Sequence, residues 1–311
     1  MLDPELLVTY ADDLPTLDSP VLIQALDGFV DAGSVRKLVR EQLLATGGQI
    51  VATFDVDQLI DYRSRRPPMT FERDRWTGYS EPRLAVHLLH DDIGTPFLLL
   101  EGPEPDYQWE RFLQAVRGVV ERLGVRLTVG LNAIPMAVPH TRPVGVIAHG
   151  TSSDLVEGHP SWIDRVQVPG SAGNLLEYRL GEAGHAAVGF AVHVPHYVAQ
   201  SEFPASAVAL LESVTKAADL VLPTGELRAA ATRTATEIDA QVADNSEVAD
   251  VVRALEQQYD SFVAGAGRSL LREAPDEPLP SADELGEAFE LFLAQQPTPD
   301  EGDDPDRPDA G

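Results

Sequence analysis

The sequence has 311 residues, which is enough for one large hydrophobic core or two modest ones. It carries 50 acidic and 23 basic residues, and its formal charge of −27 disfavours binding to nucleic acid or to anionic lipid surfaces. It contains no cysteine, which excludes disulfides, zinc–thiolate sites and thiol nucleophiles.

These properties fit a protein of the reducing cytoplasm. Residues 1–17 hold four acidic residues and no basic one, so they lack the cationic region of a secretion signal. No apolar run approaches the roughly 18–20 residues that a membrane span needs. We therefore expect a soluble cytoplasmic protein that does not contact a membrane.

The N-terminal segments predict a β–α–β unit. Residues 21–26 form an apolar strand candidate, and apolar residues recur at helical spacing over residues 35–44. Gly47 and Gly48 end this helix in the way that C-terminal glycines do. Residues 49–54 predict a second strand, which we expect to pair with the first in parallel within a covered sheet.

The next segments predict a loop, a hairpin and a helix. Residues 57–79 are rich in arginine and predict an exposed loop. Residues 84–89 and 97–100 predict the strands of a hairpin, because turn-forming residues with a glycine lie between them. Residues 109–123 show the apolar spacing of an amphipathic helix.

Alternating strands and helices continue to residue 222 and predict one α/β domain over residues 1–222 with a single covered sheet. Residues 186–194 are apolar on both faces, which predicts a strand in the middle of that sheet. The other predicted elements here are strands at residues 125–131 and 144–148 and helices at residues 175–180 and 203–218.

After residue 222 the strand pattern ends. Residues 223–268 predict two helices that form an antiparallel hairpin, the second capped by Ser246. Residues 269–311 are acidic and rich in proline, a composition that predicts a largely disordered tail. Within the tail, Ser281 and Glu284 form a capping box that predicts a short helix near residues 282–294.

The loop after the first predicted strand is a candidate binding segment, because ligands of α/β sheets commonly bind at this position. It holds Asp27, Gly28, Phe29, Asp31 and Gly33. A phosphate site needs glycine amides and a basic residue, whereas the two carboxylates of this loop would oppose an anion. We therefore favour a structural turn or a loop that faces a protein partner.

A second glycine-rich loop, residues 169–174, precedes the helix predicted at residues 175–180. Its backbone amides, including those of Gly173 and Asn174, could form an anion-binding nest. The loop has no neighbouring lysine and no Walker pattern, so we favour a loop that only needs unusual backbone angles.

Histidines near the strand ends are candidates for metal binding or acid–base chemistry. His193 and His196 end one predicted strand, and His140 lies near the end of another. The chain has no H-E-x-x-H motif and Pro195 separates the first two, so we favour ordinary hydrogen-bonded histidines and predict neither metal nor cofactor. Residues 150–154 also lack the G-x-S-x-G turn that exposes a hydrolase nucleophile.

Five segments match one protein family in order and spacing. They are residues 25–33, residues 100–105 with Glu104, residues 138–143 with His140 and Arg142, residues 173–181 and residues 192–197. Together they resemble the proteasome-assembly-chaperone-2 family, in the longer form found in actinobacteria. The resemblance covers roughly residues 20–265, so the set is specific although each motif alone is weak.

The resemblance implies a three-layer α/β/α fold with a mostly parallel mixed sheet, similar to the phosphorylase/hydrolase-like architecture, followed by the helical hairpin. It also implies homo-oligomers, for which we favour a trimer. In characterised relatives of the family, the function is assistance to proteasome assembly or binding to proteasomes, without catalysis.

Three functional hypotheses follow. The first is a non-enzymatic, ATP-independent chaperone or adaptor that binds protein partners, with proteasome subunits as candidates. The second is an enzyme of the nucleoside-phosphorylase or peptidase kind, acting on a small molecule in the strand-end cleft. The third is a self-assembling structural protein.

The enzyme hypothesis needs Asp31, His140, His193 or His196 as acid–base or binding groups, and convergence of these side chains in one closed pocket would favour it. The full set of candidate cleft and interaction residues is Asp27, Gly28, Phe29, Asp31, Gly33, Glu104, His140, Arg142, Gly173, Asn174, His193 and His196.

Overall fold

The computed structural model describes residues 2–28, 30–159 and 165–265. Residues 1–260 form one compact unit, and the contacts described below lie within it. The predicted tail of residues 269–311, with its helix near residues 282–294, lies outside the described residues, as does Phe29. No helix in the described ranges is long and apolar enough to cross a membrane.

Ten strands and six α-helices make up the described part of the chain. The strands are β1 Val8–Tyr10, β2 Val21–Asp27, β3 Gln49–Phe54, β4 Met69–Glu72, β5 Arg75–Tyr79, β6 Ala85–His90, β7 Pro96–Pro103, β8 Leu127–Met136, β9 Val146–Gly150 and β10 Ala187–Pro195. The helices are α1 Val35–Leu44, α2 Trp109–Arg122, α3 Ala172–Glu182, α4 Pro204–Ala218, α5 Gly225–Asp244 and α6 Ser246–Gly265.

Eight strands form one mixed sheet in the order β1-β3-β6-β7-β2-β8-β10-β9. The neighbours β7, β2, β8 and β10 run parallel to one another. β3 shares their direction, because it is antiparallel to β6 and β6 is antiparallel to β7. Most strands of the sheet therefore point the same way, and the predicted mixed, mostly parallel sheet is confirmed.

The side chains of β2 alternate between two hydrophobic cores. Val21, Ile23 and Ala25 belong to the core that includes residues of α1 and α4. Leu22 and Leu26 belong to the core that includes residues of α2 and α3. Because successive side chains of a strand point to opposite faces, helices cover both faces of the sheet. The predicted three-layer α/β/α fold is confirmed.

β2 and β3 share a direction but do not pair, so the prediction of a parallel pair is wrong. β6 and β7 lie between them. β7 is almost continuously buried, and it pairs with β2 from Leu98 to Pro103. This second apolar strand occupies the place that β3 was expected to take. β10 is flanked by β8 and β9, but it lies one strand from the edge of the sheet instead of in the middle.

Residues 57–79 contain a β-hairpin where the sequence predicts only a loop. β4 and β5 form a separate two-stranded sheet, and nearly all of their residues are exposed. A strand exposed on both faces lacks the apolar–polar alternation that identifies a half-buried strand, so the sequence gives no signal for it. The other predicted hairpin is confirmed as β6 and β7.

The helices α5 and α6 follow one another with only Asn245 between them. The Asn245 side-chain oxygen accepts hydrogen bonds from the N–H groups of Glu247 at 3.0 Å and Val248 at 3.3 Å. Asn245 therefore caps α6, and the prediction of Ser246 as the cap is wrong by one residue. α5 contacts α4 within the compact unit of residues 1–260. The domain boundary at residue 222 stays a prediction.

Candidate functional site

The candidate site lies at the edge of the sheet where the four neighbouring parallel strands end, called the strand-end edge below. β2 ends at Asp27, β7 at Pro103, β8 at Met136 and β10 at Pro195. Loops that follow parallel strands meet at one edge of an α/β sheet, which is where such folds commonly bind ligands. Most of the candidate residues lie in these loops or in the elements that pack on them.

The loop after β2 closes around the guanidinium of Arg36, a residue that is 5% exposed. Arg36 donates a hydrogen bond to the Val30 carbonyl and lies 3.6 Å from the Asp31 carboxylate. A Cβ at Gly28 would lie 2.8 Å from Nη1 of Arg36, so the loop approaches the guanidinium closely at this residue. Sequence reasoning missed Arg36, because a single arginine in a predicted amphipathic helix is usually solvated.

Asp31 and Gly33 have structural roles in the same loop. The Asp31 carboxylate accepts a hydrogen bond from the N–H of Arg36 at 2.9 Å, so it binds the first turn of α1. Gly33 has a φ of 66°, a left-handed conformation that favours glycine. Its N–H donates to the Ala199 carbonyl at 2.7 Å, and its carbonyl accepts from the N–H of Phe203 at 2.9 Å. These contacts join the β2 loop to the start of α4.

Glu104 joins three segments of the strand-end edge. Its Oε1 accepts a hydrogen bond from the N–H of Ala172, the first residue of α3, at 2.5 Å. Its own N–H donates to the Asp27 carbonyl at 2.9 Å, and its carbonyl accepts from Nη1 of Arg65 at 2.7 Å. Because Glu104 is only 7% exposed, a buried carboxylate occupies the positive end of α3. One amide of the glycine-rich loop, that of Ala172, therefore binds a carboxylate of the protein itself.

Gly173 and Asn174 shape the first turn of α3. A Cβ at Gly173 would lie 2.8 Å from Nε2 of Gln24, so α3 approaches β2 closely at this point. The N–H of Asn174 donates to Ser171 Oγ at 3.1 Å, and its side-chain oxygen accepts a long hydrogen bond from Nδ2 of Asn132 at 3.4 Å. Asn174 therefore faces the space beside the end of β8.

A cleft of about 500 Å³ opens in this space, beside the start of α3. Aliphatic side chains and a few polar ones line it, the polar ones including Arg36, Asn132, Asn174, His149 and Glu177. Nδ1 of His149 lies 2.8 Å from the Glu177 carboxylate, so a histidine–carboxylate pair borders the cleft. Among the candidate residues predicted from the sequence, Asn174 lines this cleft. Sequence reasoning missed the pair, because its two members lie on different elements.

His193 and His196 lie apart from the cleft. His193 is 1% exposed, and a Cβ at Gly145 would lie 2.5 Å from its Nδ1, so the ring packs tightly against the segment before β9. The ring of His196 packs edge-on against Tyr197, with centroids 5.4 Å apart. Burial lowers the pKa of both histidines below the usual 6.5, and a backbone hydrogen bond to Met136 partly opposes the shift at His196.

His140 binds Tyr197 and α5. Its backbone N–H donates to the Tyr197 hydroxyl at 2.7 Å, and Nδ1 lies 2.7 Å from the same hydroxyl. Burial raises the pKa of Tyr197. The other ring nitrogen, Nε2, lies 3.1 Å from the carboxylate of Asp239 in α5. The imidazole thus links the turn after β10 to α5.

Arg142 binds α6 in the same segment. Its guanidinium contacts both oxygens of Asp260, at 2.8 and 2.7 Å, and the Glu256 carboxylate at 3.1 Å. The hydrogen bond from Arg142 lowers the pKa of Asp260. The Tyr259 hydroxyl adds a hydrogen bond to the Pro143 carbonyl at 3.2 Å. Arg142 therefore holds α6 against the loop between β8 and β9.

The four side chains that the enzyme hypothesis names do not converge in the cleft. Asp31, His140, His193 and His196 do not line it. His140 and His196 both contact the ring of Tyr197. Asp31 binds the start of α1, and His193 packs against Gly145. Within the ranges that the structure describes, no group of three or more His, Asp or Glu side chains is arranged to hold a metal ion. The arrangement gives these residues anchoring roles at the strand-end edge.

The burial of His193 predicts a pH dependence of stability. The folded chain binds a proton at this ring less readily than the unfolded chain, whose histidine has a pKa near 6.5. The free energy of unfolding is therefore expected to fall as the pH drops through about 6.5, by up to about 1.4 kcal/mol per pH unit for this group. His196 contributes in the same direction.

The variant His193→Leu isolates this contribution, because it removes the titrating ring and keeps an apolar side chain. Urea denaturation of the variant and of the unaltered chain is measured across this pH range. We expect the variant to lose stability less steeply between about pH 6.5 and 5.5, with parallel curves above about pH 7.5. Equal slopes in the acid range would show that His193 is not the buried neutral group described.

Comparison with solved structures finds similar folds of high coverage. A Mycobacterium tuberculosis protein of unknown function is 50% identical, with a TM-score of 0.79 over 83% of this chain and 92% of that chain. A Corynebacterium glutamicum protein of unknown function is 41% identical, with a TM-score of 0.79 over 83% and 98% of the two chains. A search of curated proteins gives no significant match.

A third similar structure is a Mycobacterium tuberculosis proteasome-assembly chaperone homologue. It is 26% identical, with a TM-score of 0.69 over 75% of this chain and 99% of that chain. The model of the PAC2 family matches residues 25–242, a range that starts in β2 and ends in α5. Since this range contains every strand-end loop described above and more than half of the sequence, the chain belongs to the PAC2 family.

Proposed function

We propose that this protein is a non-enzymatic, ATP-independent chaperone or adaptor that acts by binding protein partners, with proteasome subunits as the first candidates. The observation that carries the proposal is the similarity to the Mycobacterium tuberculosis proteasome-assembly chaperone homologue over 75% of this chain. The absence of cysteine supports the reducing cytoplasm as its place of action.

The contacts at the strand-end edge support binding over turnover. A catalytic acid or base needs an approachable proton in a site that a substrate can enter. The His140 side chain is only 3% exposed and is bonded to Tyr197 and Asp239. The Asp31 carboxylate is occupied by Arg36 and the first turn of α1. These groups serve the fold, and the loops that they hold are available to contact a partner.

An enzyme remains the second candidate, with different residues from those that the sequence suggests. The His149–Glu177 pair borders a cleft of about 500 Å³, a volume that suits a small molecule. A carboxylate that accepts the Nδ1 hydrogen would leave Nε2 as a base. Turnover of a metabolite that His149→Gln abolishes would support this candidate against the adaptor.

The exposed hairpin of β4 and β5 supports self-association, and we propose a trimer. Met69, Phe71, Trp76 and Tyr79 are each more than half exposed. Phe71 and Trp76 contact each other edge to face, with ring centroids 5.0 Å apart. Clustered exposed aromatic side chains are typical of protein–protein interfaces. A second copy of the chain that covers this hairpin would remove its apolar surface from water.

Substitution of the aromatic side chains of the hairpin is expected to dissociate the oligomer into single chains. In light scattering, the unaltered chain is expected at the mass of three chains, and the double variant Phe71→Ser and Trp76→Ser at the mass of one, because the apolar contact area is lost. Ile93→Ser is the matched control, since Ile93 is 73% exposed in the turn between β6 and β7. A double variant with unchanged mass would remove the hairpin from the interface.

Purified proteasome subunits provide the test of the proposed function. The full chain is mixed with α and β subunits, with and without ATP, and the products are followed by native mass spectrometry. We expect a complex that contains the chain. We also expect the chain to change the rate at which the subunits form particles, and this change to be equal with and without ATP. No complex and no change in rate would contradict the chaperone role. A complex that forms only with the oligomeric chain would show that self-association precedes binding.

A further inference from the structure

A second groove, separate from the cleft, lies at the base of the β4–β5 hairpin. It has a volume of about 520 Å³ and is open to solvent. Residues 65–68 and 80–83, which flank the hairpin, form one side, and the ends of β2 and β7 form the other. We call it the proline groove, because Pro67, Pro68, Pro82 and Pro103 line it.

Two of its four arginines are already paired. Arg40 forms ion pairs with Asp27 and, at 3.9 Å, with Glu101. Arg65 donates to the Glu104 carbonyl at 2.7 Å and binds Asp106 at 2.9 Å. Asp27 and Glu101, two of the three carboxylates in the lining, thus share the guanidinium of Arg40, and Arg65 connects the groove to the strand-end edge.

Arg66 and Arg83 are the other two arginines, and both are exposed. Within the described part of the chain, no hydrogen bond or ion pair reaches either guanidinium. The third carboxylate of the lining, Glu81, is also exposed. The chain has 50 acidic residues and a formal charge of −27. The groove therefore offers two unpaired positive charges on a protein whose net charge is strongly negative.

The proline walls suit an extended polypeptide. Proline has a fixed φ and no backbone N–H, so these walls are rigid and present apolar surface and carbonyl oxygens. A rigid site loses little conformational freedom when a ligand binds. An arginine guanidinium forms two parallel hydrogen bonds with one carboxylate, so Arg66 and Arg83 are suited to two acidic side chains.

We infer that the proline groove binds a short acidic segment of a partner polypeptide through Arg66 and Arg83. The inference rests on the proposed function and names the chemistry of the partner segment. At physiological ionic strength, charges more than about 8 Å apart are largely screened, so a short segment responds to the local arginines. A long polyanion such as nucleic acid would also approach the surrounding acidic surface and be repelled.

The test uses the full chain and a fluorescently labelled hexaglutamate peptide, with the matching hexaglutamine peptide as the neutral probe. Fluorescence anisotropy gives the dissociation constant of each peptide. We expect the chain to bind the glutamate peptide and not to bind the glutamine peptide. The double variant R66Q/R83Q is expected to bind the glutamate peptide about tenfold more weakly, because two charge-assisted contacts are lost. Added salt should weaken binding to the unaltered chain more than to the double variant.

R63Q is the matched control, because Arg63 lies on the same segment outside the groove, with a side chain that is 84% exposed. It removes one positive charge, half the change of the double variant, and should leave the dissociation constant unaltered. Circular dichroism checks that all variants are folded. Equal binding by R66Q/R83Q and the unaltered chain, or binding of the glutamine peptide, would overturn the inference.

The outcomes separate this inference from the proposed function. Groove-dependent peptide binding by a chain that ignores proteasome subunits would keep the acidic-segment site and reject the proteasome role. A chain that binds proteasome subunits while R66Q/R83Q leaves peptide binding unchanged would keep the proposed function and reject the groove.

Discussion

The contact that the strand-end edge depends on most is the hydrogen bond from the Ala172 N–H to the buried Glu104 carboxylate. A buried carboxylate needs hydrogen-bond donors in place of water, and the Ala172 N–H at the positive end of α3 is one of them. The backbone of Glu104 also bonds to Asp27 and Arg65. One residue thereby fixes the loops after β2 and β7, the base of the exposed hairpin and the position of α3.

Many polar side chains of the family motifs bond to other parts of the fold, so they are not available to bind a ligand or partner. The β2 loop surrounds Arg36, His140 binds Tyr197, and Arg142 binds α6, so the family motifs mainly hold elements together. Three features face solvent instead: the aromatic hairpin, the proline groove and the cleft beside α3. The first two lie next to each other and have the chemistry of protein contacts, apolar in one case and cationic in the other. We therefore assign the hairpin to contact with a second copy of the chain and the proline groove to contact with a partner.

The sequence predicts local structure well and strand neighbours less well. The alternation and burial of β2, the amphipathic spacing of α2 and the capping of α6 depend on nearby residues, and these predictions hold to within a residue or two. The separation of β2 from β3 depends on contacts between distant residues, which spacing does not encode. The same limit explains why Arg36 and the His149–Glu177 pair were missed, since each acts only after distant segments pack together. Several of the candidate residues lie where strands end, but their contacts join segments that are distant in the sequence.

The substitution Glu104→Gln tests the central claim that these groups hold the loops and do no chemistry. It keeps the size of the side chain and removes the charge at the start of α3. Urea denaturation should show a loss of about 1–2 kcal/mol in the free energy of unfolding, while binding to proteasome subunits by the folded variant is unchanged. The account would be contradicted by a Glu104→Gln variant that keeps its full stability but no longer binds proteasome subunits, or that loses a catalytic activity of the unaltered chain.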